Sequence, residues 1–396
     1  MVLLVEVLKL KATEESSSKI IEGKMNIEKI RELFPITKEK IYLNHASTGP
    51  LTTRARKAMD ALLDIYELEG DITKDMLDTA EEQARTLSAK LLGAEKSEIA
   101  IVKNTSQGLI LPMNALDWDL SSNVILAKGG FPANIYPWLY NLPDVEKRFV
   151  ELRKDEDFYG KCVSVADKKT KAIAVDWVDF LTGKRVDLER LGEFCQHRDI
   201  LLFVDGIQGL GAIRIDISKI KVDFFSAGAS KWLFGPQGVG IMYISKRVFN
   251  RLKSNNTGWL SAQWKNFNDF SKLPPLKNSA SRFEEGTRNL IGIYGFIEHL
   301  KLFLEVGMEE IEKRIFLLTD MLIDGIRKKR CEIASPVIKE ERAGIVTFKP
   351  VRISSEELQK NLVEKNIIVS IRSGFIRVSP HFYNTEKEIE QFLKYV

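Results

Sequence analysis

A lysine and an aspartate in this sequence each come soon after a short apolar segment. Asp205 ends the segment "ILLFVD", and Lys231 stands three residues after "VDFFSAG". They are 231 − 205 = 26 positions apart, which suits one strand–helix–strand unit and predicts neighbouring strand ends. Taken singly, Lys231 is more simply a solvated charge and Asp205 a helix cap. Together they could bring an amine and a carboxylate into one pocket.

Five apolar segments predict the strands that would position this pair. They are rich in β-branched and aromatic residues, as expected for a parallel sheet that is covered on both faces. Amphipathic stretches such as residues 187–198 separate them and predict helices. The strand segments are residues 98–104, 123–129, 171–178, 200–206 and 222–228. The alternation predicts an α/β fold with a mainly parallel sheet between helices, and "GVGIMYIS" (238–245) follows too closely for a crossover helix, which predicts an antiparallel strand.

Polar and aromatic side chains follow these strands, where ligands bind in doubly wound sheets. Thr105 and Ser106 lie in "NTSQG", which is most simply a helix cap, although a cap also leaves N–H groups that suit a phosphate. Phe131 and Gln208 follow two further strands. A buried amine can form a Schiff base with an aldehyde cofactor, and pyridoxal 5'-phosphate (PLP) also needs a carboxylate facing its ring nitrogen. The set predicts a PLP site with the lysine as amine and the aspartate as carboxylate.

Composition excludes several other classes of function. Of 396 residues, 44% are hydrophobic and 29% charged, and the net charge of +4 is too small to predict nucleic-acid binding. No run of 18 apolar residues predicts a membrane span. Three dispersed cysteines and four histidines lack metal-ligand spacing, which predicts no metal, a reducing compartment and a cytoplasmic location. The glycine fingerprints of nucleotide sites are missing at strand–helix junctions.

The pattern along the chain predicts two domains after an N-terminal arm. Residues 1–30 begin with an interrupted apolar stretch and form the arm, and the natural protein could start at Met25. Residues 31–280 form the large cofactor-binding domain. Residues 281–396, with a long helical stretch over 290–328 and a final helix after Asn384, form a smaller α+β domain.

Several motifs together resemble class V aminotransferases of fold type I, the PLP-dependent family that includes cysteine desulfurases, isopenicillin N epimerase and kynureninase. The likeness runs in order from Tyr42 to Val396 through "YLNHASTGPL", "NTSQGL", "FPANIYPW", "VDGIQGLGAIRID", "SKWLFGPQGVGIMYI", "RFEEGTRN" and "IRSGFIRVSPHFYNTEKEI". As a set these motifs are specific for the family, and less so for the reaction.

The resemblance implies a role for each matching position. Lys231 would carry the cofactor as a Schiff base and move the substrate's α-proton, and Asp205 would face the ring nitrogen. Thr287 resembles the residue that reaches the cofactor phosphate of the other subunit, which implies a homodimer. His45 is as readily a structural turn residue. The implied cofactor-binding residues are Thr105, Ser106, Phe131, Asp179, Asp205, Gln208, Ser230, Lys231 and Thr287, and the implied substrate-binding residues are Asn44, His45, Arg372 and Arg377.

Two departures leave the substrate open. Cysteine desulfurases carry a nucleophilic cysteine on a loop between the segments corresponding to Arg372 and Arg377, whereas this chain has only "SGFI" there. Asp179 stands where relatives often have a neutral residue, and an ionised aspartate would be unfavourable unless an arginine pairs with it. The leading prediction is an aminotransferase-type reaction at an amino acid's α-carbon. Desulfurase-like or C–S lyase chemistry and epimerisation follow, with a non-catalytic binder last.

Overall fold

The computed structural model describes residues 26–70, 73–153, 157–264 and 271–396. The predicted N-terminal arm, residues 1–30, lies almost entirely outside the described residues, and so does the question of whether Met25 is the natural start. The domain boundaries at 30/31 and 280/281 remain predictions.

Thirteen strands are present in the described part of the chain. They are β1 (Ile41–Tyr42), β2 (Ile99–Val102), β3 (Asn123–Lys128), β4 (Glu146–Glu151), β5 (Thr170–Asp176), β6 (Leu201–Asp205), β7 (Phe224–Gly228), β8 (Gly240–Ile244), β9 (Glu332–Ile333), β10 (Val346–Lys349), β11 (Ile367–Ile368), β12 (Ser370–Arg372) and β13 (Phe375–Val378). Strands β2 to β8 form a seven-stranded sheet in the order β2-β8-β7-β6-β5-β3-β4. Its strands are parallel except β8, which pairs antiparallel with both neighbours. The predicted mainly parallel sheet and its antiparallel strand are confirmed.

Eleven α-helices accompany these strands in the described residues. They are α1 (Ile27–Glu32), α2 (Thr53–Leu68), α3 (Lys74–Leu92), α4 (Thr105–Asn114), α5 (Tyr136–Asn141), α6 (Phe158–Val165), α7 (Leu188–His197), α8 (Leu290–Val306), α9 (Met308–Lys328), α10 (Ser355–Glu364) and α11 (Glu386–Leu393). Several begin at polar caps: the Asn104 side chain accepts from the third residue of α4, and Thr385 and Glu388 form a capping box on α11. Two separate apolar clusters include opposite sets of side chains from the same strands, so the sheet is buried on both faces.

The C-terminal residues build a second, antiparallel sheet in the order β12-β13-β10-β9. Helices α9, α10 and α11 contribute apolar side chains to a third cluster with this sheet. Strand β1, from near the start of the described residues, pairs in parallel with β11. This pairing brings the residues that follow β1 next to the C-terminal segment.

The structure refines two details of the predicted elements. The helical stretch over 290–328 is two helices, because Gly307 adopts φ 84° between them. Strand β4 was missed, because its sequence "EKRFVE" is mostly polar and the strand lies at the edge of the sheet.

Candidate active site

Five strands bring the predicted site residues to one edge of the central sheet. Strands β2, β3, β5, β6 and β7 all run in the same direction, so their carboxyl ends meet there. Asp205 is the last residue of β6, and Lys231 lies three residues beyond the end of β7. The topology thus places the aspartate and the lysine at adjacent strand ends.

Asp205 is buried and only partly satisfied by hydrogen bonds. Asp205 is 2% exposed, and its Oδ1 accepts a hydrogen bond from the backbone N–H of Ile207 at 2.9 Å. Oδ2 is buried without a hydrogen-bond partner among the described residues. Burial raises the pKa of Asp205 to about 6, whereas the Ile207 hydrogen bond and the charge of Lys231 lower it. The free oxygen can accept one strong hydrogen bond from a cationic group of a ligand.

A second buried carboxyl group, Asp176, lies beside Asp205 and was missed by the sequence analysis. Asp176 ends β5 and is paired in register with Asp205. Its Oδ2 accepts from the backbone N–H of Phe131 at 2.6 Å, and its Oδ1 accepts from the side-chain amide of Asn134 at 3.3 Å. Burial, and then the charge of Asp205, raise the pKa of Asp176 well above its ordinary value. The signal was present in the sequence, since both parallel strands end alike, in "AIAVD" and "LLFVD".

The amine of Lys231 lies within electrostatic range of both carboxyl groups and close to an aromatic ring. Its Nζ is 5.4 Å from the centre of the Phe131 ring. Burial is the main cause that lowers the pKa of Lys231 to about 8. The charges of Asp205 and Asp176 raise this pKa, and the charges of Arg377 and Arg372 lower it. An amine with a pKa this close to neutrality can act both as a nucleophile and as a proton carrier.

Tight packing fixes residues 229–233, the turn that follows β7 and carries Lys231, here called the lysine turn. Gly49 donates its backbone N–H to the carbonyl just before the lysine at 2.8 Å, and a Cβ on this glycine would lie 2.2 Å from the carbonyl oxygen of Lys231. Phe234 has φ 57°, a left-handed conformation that costs about 1–2 kcal/mol for an ordinary residue. Its ring packs against Phe34 and His381 at ring-centre distances of 5.0 and 4.4 Å, which offsets that cost.

The start of helix α4 lies beside the same turn. The Oγ1 of Thr105, the first residue of α4, accepts from the backbone N–H of Gly228 at 2.8 Å, which joins the helix to the end of β7. Ser106 follows in the first turn of the helix, and Ser230 directly precedes Lys231; both are half-buried. The first N–H groups of a helix have no acceptor within it, and with the helix dipole they favour an anion.

Gln208 is buried three residues after Asp205. Its Nε2 donates to the carbonyl of Ala46 at 3.0 Å, and its Oε1 accepts from the indole Nε1 of Trp232 at 2.8 Å. The amide is therefore held at both ends by neighbours of the lysine turn.

Asp179 is fully buried and is paired with an arginine. Its Oδ2 accepts from the Nε of Arg153 at 3.1 Å, and its Oδ1 accepts from the backbone N–H and the hydroxyl of Thr182, both at 2.7 Å. The arginine supplies the compensating charge that a buried aspartate requires at this position. The carboxylate holds the turn after β5 in shape.

Arg377 lies in β13 with its guanidinium turned toward the lysine side of the molecule. It is 2% exposed and donates to the hydroxyls of Ser370 and Ser47 and to the carbonyl of Phe180. Arg372, exposed at the end of β12, donates to the same Ser47 hydroxyl at 3.3 Å. Burial, and then the charge of Arg372, lower the pKa of Arg377 to about 10. Two guanidinium groups thus converge on neutral acceptors that a carboxylate could replace.

Asn44 and His45 occupy different environments. Asn44 forms an isolated parallel bridge with Ser379, and its buried Oδ1 has no hydrogen-bond partner in the described part of the chain. His45 is completely buried, with Nδ1 2.8 Å from the Ser379 carbonyl and Nε2 2.8 Å from the Tyr383 hydroxyl. Burial lowers the pKa of His45 to about 3. Both ring nitrogens are occupied within the protein, which favours the structural interpretation of this histidine.

Thr287 lies apart from the lysine turn along the sequence and is exposed. Its neighbour Arg288 forms ion pairs with Glu81 and Glu284, and Arg85 joins both glutamates. This buried charge network anchors the segment at the surface, where Thr287 is accessible to a second molecule.

The cysteines lie outside the segments that follow the strands of the central sheet. Cys162 and Cys195 are buried in helices α6 and α7, and burial raises the pKa of Cys162 to about 12 and that of Cys195 still further. Cys331 is partly exposed just before β9. No group of three or more potential metal ligands occurs within the described residues, and none of the helices described there is both long and apolar enough to cross a membrane.

Comparison with known proteins identifies the family of this chain. The family model described as aminotransferase class V matches residues 41–392. An uncharacterized aminotransferase, YcbU, of Bacillus subtilis is 27% identical, over 91% of this chain and 95% of its own. A probable cysteine desulfurase of Pyrococcus abyssi is 26% identical, over 92% and 96%. The solved structure of the cystine C–S lyase C-DES with its product cysteine persulfide superposes with a TM-score of 0.85 at 22% identity, over 91% and 98%, which confirms the fold.

Proposed function

Because the chain belongs to the aminotransferase class V family, whose enzymes depend on PLP, we propose that it acts at the α-carbon of an amino acid with Lys231 as its central residue. The observation that carries this proposal is the pairing of a lysine of lowered pKa with a buried aspartate at adjacent strand ends. Transamination is the leading reaction.

The residues at the strand ends fit the cofactor. The unpartnered Oδ2 of Asp205 matches a protonated ring nitrogen, and Lys231 supplies the amine for the aldehyde group. The first turn of α4, with Thr105 and Ser106, and the adjacent Ser230 would hold the phosphate. The remaining contacts would come from Phe131 on the ring face, Gln208 at the phenolic oxygen and Asp179 through its turn. When bound, PLP supplies an imine-forming carbon and an electron-withdrawing ring.

The protein's own groups account for the rest of the reaction. Arg377, assisted by Arg372, would bind the substrate carboxylate by exchanging its contacts with Ser47 and Phe180 for a charged partner. Asn44, whose Oδ1 lacks a partner, would face the substrate amine or carboxylate side. Lys231, with its pKa near 8, would take the proton from the substrate's α-carbon and return it.

A second candidate is cleavage of a C–S bond without an enzyme cysteine. The chain from Arg372 to Phe375 is a tight hairpin around Ser373 and Gly374, and it carries no cysteine. Cys162 and Cys195 are buried in helices, and Cys331 packs against the apolar cluster of the C-terminal sheet. C-DES, which has the same fold, is a cystine C–S lyase. Epimerisation remains the third possibility.

We also propose a cytoplasmic homodimer in which Thr287 completes the partner's phosphate site. Exposure of Thr287 above a buried charge network supports this. Light scattering should give twice the chain mass of 45.1 kDa, and Thr287→Val should weaken PLP binding. A monomer that binds PLP with unchanged affinity would refute the dimer proposal. Cell fractionation tests the location.

The decisive experiment for the main proposal is covalent trapping. Protein purified with PLP should absorb in the visible range, and borohydride reduction should add the cofactor to Lys231, as read by peptide mass spectrometry. Lys231→Ala should lose both signals, whereas Lys219→Ala, which changes an exposed lysine, should keep them. An unmodified Lys231 in PLP-saturated protein would refute the proposal.

Single amino acids then distinguish the reactions. Conversion to the pyridoxamine form identifies transamination, release of a sulfur product identifies C–S cleavage, and exchange of the α-hydrogen with loss of optical purity identifies epimerisation. If no amino acid ever gives the pyridoxamine form, the aminotransferase assignment fails and the other two remain.

A further inference from the structure

Trp232, the residue directly after Lys231, is hydrogen-bonded at both its side chain and its backbone. It is fully buried. Its indole Nε1 donates to Oε1 of Gln208 at 2.8 Å, and its carbonyl lies 2.9 Å from Nε2 of His381. Since the backbone N–H of Phe382 donates to Nδ1 of His381, the histidine proton is on Nε2 and is donated to Trp232. The lysine turn, the histidine and the glutamine are thus joined through one residue.

These contacts determine which way the Gln208 amide points. An indole N–H can only donate, and the Ala46 carbonyl on the other side of the amide can only accept. The amide oxygen must therefore face Trp232 and the amide nitrogen must face Ala46. The reversed amide would set two donors against each other and two acceptors against each other, inside a region where Gln208 is 2% exposed.

The fixed orientation leaves Gln208 with one N–H that has no acceptor among the described residues. The amide nitrogen carries two hydrogens, and only one is used by Ala46. A ligand atom that reaches the amide nitrogen of Gln208 would therefore meet a donor. Without the indole, only the Ala46 carbonyl would hold the amide in this orientation, and a rotated amide would present its oxygen, which would repel a negatively charged ligand atom.

We propose that Trp232 is a positioning residue that fixes the Gln208 amide as a hydrogen-bond donor to a negatively charged oxygen of the bound ligand. The proposal rests on the proposed function, which makes that oxygen the phenolic oxygen of PLP. In this proposal Trp232 both packs in the core and orients Gln208 through its indole N–H.

The test is a pH titration of the visible absorption band of the PLP-loaded protein. A donor to a negatively charged oxygen favours the more deprotonated form, so its loss should raise the midpoint. We expect Gln208→Leu to raise it by about 1 pH unit, as for a hydrogen bond to a charged group. Trp232→Phe should raise it in the same direction, and the double variant should match Gln208→Leu alone, because Trp232 acts through the amide.

A matched control separates this effect from the loss of buried volume. Trp138→Phe removes an indole from another buried position and should leave the midpoint unchanged. Replacing Trp232 with 3-benzothienylalanine, in which sulfur takes the place of the indole N–H, keeps the shape and should still raise the midpoint.

Three results would overturn the inference while leaving the proposed function intact. They are an unchanged midpoint with benzothienylalanine, additive shifts in the double variant, and an equal shift in the Trp138 control. A wild-type protein that shows no visible band with PLP would instead refute the proposed function itself.

Discussion

The covalent capture of PLP by the cofactor-free protein should follow the titration of Lys231. Only the neutral amine attacks an aldehyde, and burial lowers the pKa of Lys231 to about 8 from the ordinary 10.5. The initial rate of attachment should therefore rise with pH around a midpoint near 8 and level off above it.

The magnitude follows from the two pKa values. At pH 8 about half of the Lys231 amines are neutral, compared with about 0.3% for a lysine titrating at 10.5, a ratio of about 150. Rates are measured by mixing the apoprotein with PLP for short times, reducing with borohydride and counting modified Lys231 peptides. The exposed Lys219 serves as the internal reference in the same digest.

Two charge variants should move the midpoint in opposite directions. Asp205 raises the pKa of Lys231 and Arg377 lowers it, so Asp205→Asn should shift the midpoint below 8 and Arg377→Met should shift it above 8. Circular dichroism checks that both variants fold. A midpoint near 10, or shifts of the same sign in both variants, would refute the electrostatic argument.

Three further predictions test other parts of the structure. Cys331→Ser should leave product formation unchanged, because the thiol lies just before β9 and packs against the apolar cluster of the C-terminal sheet; loss of turnover would mean a cysteine-dependent reaction. Arg153→Met should lower the free energy of unfolding, measured in urea, by about 1–2 kcal/mol, because Asp179 loses its cationic partner but keeps its N–H donors. An unchanged urea midpoint of unfolding would contradict a stabilising pair of Arg153 and Asp179. Burial lowers the pKa of His45 and His299 to about 3, so below pH 6.5 the unfolded chain binds more protons than the folded protein. The free energy of unfolding should therefore fall by up to about 1.4 kcal/mol per pH unit for each histidine as the pH is lowered. Equal free energies from urea titrations at pH 7 and pH 5 would exclude this.

The sequence predicted the central sheet well, because buried parallel strands leave continuous apolar segments. Strand β4 lies at the edge of the sheet and its residues are mostly polar, so it leaves no continuous apolar segment. The same rule therefore explains why the sequence analysis missed it. Gly307, which ends one helix and starts another, could not be distinguished from a glycine inside a single helix, since the flanking apolar pattern continues through it.

The site was predictable where residues follow strands directly and obscure where they meet only through folding. Asp205 and Lys231 could be placed from strand order. Asp176 needed the register of β5 on β6, which no pattern in one segment reveals. The pairing of Asp179 with Arg153 and the contact of Ser47 with two arginines join positions far apart in the chain. From the sequence His45 is as readily structural as substrate-binding, and only its two ring partners in the folded protein favour the structural interpretation.

The charges at the strand ends support the proposal that a cationic ring binds beside Asp205. With a pKa near 6, Asp205 is ionised at neutral pH, where Lys231, with a pKa near 8, is mostly protonated and supplies the counter-charge. Burial and the charge of Asp205 raise the pKa of Asp176 well above its ordinary value, which reduces the repulsion between the two carboxyl groups. A cation hydrogen-bonded directly to the Asp205 carboxylate would stabilise its charged form further. Its buried Oδ2, which has no hydrogen-bond partner among the described residues, is where that cation would lie, and this favours the proposed ligand with a protonated ring nitrogen over a neutral one.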